Sequence, residues 1–217
     1  MDNHFNYILN GIYHKININS SIKISSDYLE EKQLLGIKFF MKIIIDLFEY
    51  LNIDYCLINK TLLGQKIFDG VHIFEDSIEL LIQKNNIKKI IKEENFLNEN
   101  NIYIENNSKY LLLTTYFFDY KFNCFIYLFE QNNNTIYFHI NNNIIYSNFY
   151  DIYPLKKIIY EEFNVYIPNK IMNVLESCNI NLNFIHLKND KMIIKKFLNK
   201  NTYISFLIIY LVFLIYS

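Results

Sequence analysis

Apolar positions along this chain change their spacing from segment to segment, and the changes mark out its elements. From Asp27 to about Leu51 they recur at helical spacing, with Leu34, Leu35, Ile37, Phe40, Ile44, Leu47 and Phe48 near one face. That predicts a long amphipathic helix toward the N-terminus, opened by Asp27 and Glu30 as a capping box. Asp54 to Asn59 predicts a short strand carrying Tyr55 and Leu57, followed by a turn over Thr61 to Gly64 and a helical turn. His72 to about Gln83 reads as a strand, and Lys84 to Leu97, rich in Lys and Glu, as a helix with a solvated face. Further strands are predicted at Ile102 to Ile104, Tyr110 to Phe118, Phe122 to Phe129 and Ile136 to Ile140. The Asn runs at Asn132 to Asn134 and Asn141 to Asn143 supply turns between them. The pattern is that of an α+β fold in which helices flank a mixed β-sheet, without an internal repeat.

Composition narrows what such a fold can do. The 217 residues suit one domain, assigned to 1–201, with enough apolar and aromatic content for a sizeable core. Arg, Ala and Trp are absent while Ile, Asn, Lys, Tyr and Phe abound, the bias of an AT-rich genome. A net charge of −1, with lysines scattered among acids and Asn, gives no basic field and argues against nucleic acid as a partner. Cys56, Cys124 and Cys178 are far apart and odd in number, which fits buried thiols in a reducing compartment better than disulfides or zinc.

Met1 to Ser26 alternates polar and apolar residues without an unbroken apolar core, so no signal peptide is predicted and the chain is placed in the cytoplasm. The tail 202–217 differs, because Tyr203 to Tyr216 carries no charge and follows Lys191, Lys195, Lys196 and Lys200. As a helix that run would extend about 21 Å, short of the roughly 30 Å hydrocarbon core. Two readings stand for it: a tail anchor that associates the chain with a membrane, and a last buried element of the domain.

Candidate chemistry concentrates in Lys60 to Leu81, KTLLGQKIFDGVHIFEDSIELL, where a Gly-containing turn precedes an acid-studded strand. Strand alternation puts Glu75, Ser77 and Glu79 on one face, and carboxylates so placed can hold a divalent cation against a phosphate chain. This stretch resembles, without a gap, the signature of the LicD/fukutin family, approximately GTLLGxxRxxGFIPWDDDIDI. Thr61, Leu62, Leu63, Gly64 and Gly70 match, Phe74 stands at the Trp, and Glu75-Asp76-Ser77-Ile78-Glu79 stands at DDDID. A second stretch, Asp151 to Asn179, resembles the family's later segment, approximately DIFPLKKxxFEGxxVxVPxNxxxxLxxxYG. Pro154 and Pro168 fall on its two prolines, and Pro168 is expected to open a helix that Leu175 packs onto the sheet. The two stretches cover roughly a quarter of the chain.

The resemblance implies a nucleotidyltransferase-like core and transfer of a phosphorylated alcohol, phosphocholine or a polyol phosphate, from a CDP-linked donor to a glycan. It implies Glu75, Ser77 and Glu79 at the catalytic positions, with Glu75 and Glu79 on Mg²⁺ or Mn²⁺. Thr61, Leu62, Leu63, Gly64 and Lys66 would lie under the donor phosphates. The family's third acid, on a neighbouring strand, is expected at Asn123 or Phe125 of the 122–129 strand, neither of them acidic, with Asp119 and Glu130 the nearest carboxylates in sequence. Its Arg falls on Ile67, which leaves Lys60, Lys66 or Lys121 as point-charge substitutes. Two readings therefore stand: a divergent phosphotransferase, and an inactive relative that binds a glycan, a nucleotide or a protein.

Overall fold

The computed structural model describes residues 3–9, 12–18, 29, 31–71 and 77–180, which belong to one compact unit, Met1–Ile180. Asp27, Glu30, Glu75 and the tail 202–217 lie outside the described residues. The fold is α+β. Its N-terminal alternation is carried by an antiparallel hairpin, β1 (Asn3–Leu9) and β2 (Ile12–Ile18).

Helix α1 (Glu31–Tyr50) follows. Leu34, Leu35, Ile37, Phe40, Ile44, Leu47 and Phe48 are buried, and so are Phe39, Met41, Ile43 and Ile45. The helix is thus enclosed around most of its circumference, and it packs on the sheet and on the β1–β2 hairpin. Gly36 explains how closely α1 approaches the sheet, since a Cβ there would come within 2.5 Å of the buried Phe122 ring.

The main sheet begins with β3 (Tyr55–Leu57), then helix α2 (Asn59–Phe68), then β4 (Ser77–Gln83). A 3₁₀ turn (Lys84–Asn86) and two short helices, α3 (Ile87–Lys92) and α4 (Glu94–Glu99), lead to β5 (Tyr103–Asn106), β6 (Tyr110–Phe117) and β7 (Tyr120–Asn132). The single helix expected over Lys84 to Leu97 is therefore three pieces, broken at Glu93. Strand order is β3-β4-β7-β6-β5, antiparallel except that β4 runs parallel to β7. Ile78 to Ile82 of β4 is a continuous buried run, as expected of a parallel strand covered on both faces.

Strand β7 extends past the sheet to pair with β8 (Thr135–Ile140), which pairs with β9 (Asn143–Asn148). A short helix α5 (Phe149–Ile152), a hairpin of β10 (Lys156–Tyr160) and β11 (Phe163–Ile167), and helix α6 (Ile171–Ser177) complete the described chain. Pro168 does not open α6, which starts three residues later at Ile171; it ends β11 instead. Leu175 is fully buried.

Candidate functional site

Helix α2 starts where a turn was expected, so Thr61 to Gly64 lie inside a helix. Its N-cap residue is Ile58, whose side chain offers no acceptor for the orphan N–H groups of the first turn. The missing acceptor comes from the next strand: Glu79 of β4 takes the Lys60 N–H on Oε2 at 2.8 Å. Its other oxygen, Oε1, accepts from Asn59 Nδ2 at 2.7 Å and from the Tyr127 hydroxyl at 3.1 Å. The Glu79 N–H in turn donates to Thr61 Oγ1 at 2.8 Å, and the Glu79 carbonyl accepts the Ile58 N–H at 3.1 Å. The Cys178 thiol, at the end of α6, lies beside the Asn59 backbone, whose N–H tempers the rise that burial gives its pKa. Asn59 itself sits at φ 50°, in the left-handed region that Asn tolerates better than most residues.

Glu79 is 5 % exposed. Burial raises its pKa above the ordinary carboxylate range, outweighing the lowering by the Asn59 amide, the Lys60 N–H and the Tyr127 hydroxyl. Burial also pushes the Cys178 thiol up to about 12 and holds the Tyr127 hydroxyl protonated. The cluster is a set of internal donors closed around one buried acid.

Of the other expected site residues, Ser77 opens β4 and is half-buried, while Glu75 lies outside the described residues. Thr61, Leu62 and Leu63 are buried, Gly64 is in the α2 interior, and Lys66 is exposed on its last turn. The expected neighbour strand is in place, because Ser77 pairs with Asn123 and Glu79 with Phe125 across the parallel β4–β7 ladder. Asp119 sits in the β6–β7 turn at φ 68°. Glu130 lies five residues beyond Phe125, about 17 Å along the strand, and ion-pairs with Lys84 at 2.6 Å. Neither reaches Glu79 along the ladder.

A divalent cation needs several hard oxygens with lone pairs to give. Here both Glu79 oxygens already accept hydrogen bonds, Ser77 brings a neutral hydroxyl, and Asn123 Oδ1 accepts from Thr114 Oγ1 at 3.1 Å. No group of three or more His, Cys, Asp or Glu side chains suited to a metal occurs among the described residues. The described groups do not form a divalent-cation set, and the Lys60 N–H in the first turn of α2 is occupied by Glu79.

Sequence reasoning missed Asn59, Tyr127 and Cys178. Tyr127 had a signal: it is two residues from Phe125 on β7 and so shares a face with it and with Glu79.

A second node ties residues 60–81 to residues 151–179. Glu161, in the β10–β11 turn at φ 55°, accepts the Val71 N–H at 3.1 Å and pairs with Lys38 of α1 at 2.8 Å. A Cβ on Gly70 would overlap the Glu161 carboxylate, so a larger residue there has to displace that side chain from Val71 and Lys38.

No family model matches the chain, and no curated protein matches it. No helix among the described residues is long and apolar enough to cross a membrane.

Proposed function

We propose that this chain is a divergent relative of the LicD/fukutin-type phosphotransferases that has lost transfer chemistry and serves as a recognition module. The observation that carries this reading is Glu79: the acid at the last position of the family-like motif caps α2 and holds Asn59 and Tyr127. Two arrangements support the family frame. The acid-bearing strand has its expected neighbour, which runs parallel to it with positions 123 and 125 beside 77 and 79. The two family-like stretches also lie against each other, through Glu161 on the Val71 N–H and through the packing of α2 on α6.

Transfer of phosphocholine or a polyol phosphate from a CDP-linked donor to a glycan, with Mg²⁺ or Mn²⁺, would require Glu79 to release three donors. Each released buried donor costs about 1–3 kcal/mol, a total that a site must recover before any gain in rate. In the reading favoured here the chain works in the cytoplasm, with the apolar stretch 203–216 bringing it to a membrane surface. The test is CMP release from CDP-choline and CDP-ribitol with Mn²⁺. No release above that of Glu79→Gln is expected; release that depends on Glu79 would restore the transferase.

A further inference from the structure

We infer that the free edge of the main sheet binds an extended basic peptide segment of a partner protein, which adds a strand to β5 and lays a Lys or Arg side chain into the groove beside it. Strand β5 ends the sheet, and no strand among the described residues pairs with its outer edge. In an antiparallel ladder alternate residues turn their N–H and C=O outward, so this edge presents the groups that strand addition uses.

Beside it lies a groove of about 470 Å³ lined by Tyr103, Ile104, Glu105, Thr114 and Tyr116. Tyr103 pairs with Thr114, and Tyr116 stands two residues further along β6, so the four polar or aromatic side chains share one sheet face. Ile104 alternates to the other face yet also lines the groove, which therefore opens onto the backbone edge of β5.

The groove's chemistry selects a cation. The Tyr103 and Tyr116 rings meet at 74° with centroids 6.5 Å apart, and they are 60 % and 56 % exposed. Two ring faces at that angle form a corner suited to an alkylammonium or guanidinium group. Glu105 stands two residues from Tyr103 on the same face, about 7 Å away along the strand, and supplies the counter-charge. Thr114 Oγ1 donates to Asn123, which leaves its lone pairs for a donor from the ligand. Lys121 stands across from Tyr116 on β7, the side away from β5, and opposes a cation there.

Glu79 takes no part here, so this inference and the inactive-fold reading fail separately. The test is fluorescence anisotropy of the intact chain with a labelled, end-blocked Thr-Val-Lys-Val-Thr peptide. Binding is expected to weaken about tenfold when norleucine replaces the lysine, and similarly in Tyr103→Ala or Tyr116→Ala. N-methylation of the peptide backbone should abolish it, Lys121→Gln should tighten it, and Glu79→Gln should leave it unchanged. Equal binding of the norleucine peptide, insensitivity to Tyr103→Ala, or no binding to the folded chain would overturn the inference. So would tetramethylammonium competing as well as the peptide itself, since the site would then take small cations rather than a strand.

Discussion

Replacing Lys38 by Met should lower the stability of the fold by about 3 kcal/mol or more, because it leaves a largely buried carboxylate without its counter-ion. The Lys38 side chain is 5 % exposed and that of Glu161 18 %, at 2.8 Å. Lys38 projects from the middle of α1, and Glu161 also holds the Val71 N–H, so one carboxylate joins α1, the β10–β11 turn and the segment after α2. The double variant Lys38→Met with Glu161→Gln should recover much of the loss, since neither charge is then buried alone. Gly70→Ala should resemble Lys38→Met, because its Cβ displaces the same carboxylate. Urea unfolding reads all three. A Lys38→Met curve superimposable on the wild type would show that the pair contributes nothing.

Glu79→Ala carries the second large effect, a loss of about 3 kcal/mol, because it strips acceptors from Asn59, the Lys60 N–H and Tyr127 together and leaves a void between β4 and α2. Residues kept for catalysis commonly behave in the opposite way, and their removal leaves stability unchanged or raised. The sign of the change therefore separates an internal cap from a ligand held ready for metal. Glu79→Gln should cost less, since one oxygen remains, and it supplies a pH test. The folded pKa of Glu79 lies above its unfolded value, so the folded chain retains a proton that the unfolded chain has released. The stability linked to that proton is complete below the unfolded carboxylate pKa, near 4.3, and is lost as pH rises through the folded value. Wild type should therefore lose stability relative to Glu79→Gln as pH rises from about 4 toward neutrality; a difference independent of pH would show that Glu79 has an ordinary pKa.

The strands with clear alternation were legible in the sequence. Tyr110 to Phe118 and Phe122 to Phe129 appear as β6 and β7 with small changes of boundary, whereas the place of Asn123 and Phe125 beside Ser77 and Glu79 was expected only through the resemblance, because parity fixes a face and not the register between strands. The β10–β11 hairpin was not legible, because Lys156 and Lys157 weaken the alternation and its turn is Glu161-Glu162, without the Gly or Asn that marks a positive φ. Strand β9 was hidden in an Asn-rich stretch read only for its turn. The break at Glu93 escaped because α3 and α4 have six residues each, too few for a helical period to separate from the next. At the site, two acids at alternate strand positions look the same whether they face a cation or an internal donor. What decides for Glu79 is Asn59 and Tyr127, twenty residues before and forty-eight after it, brought together only by α2 and the β4–β7 pairing.

The most direct measurement of the closed donor site is calorimetric titration of the intact chain with CDP in the presence of Mn²⁺, beside the Glu79→Gln variant. The structure's hydrogen bonding predicts no saturable, metal-dependent heat from either protein. One-to-one binding of CDP that requires Mn²⁺ and disappears in Glu79→Gln would contradict it, and would make Glu79 a working ligand.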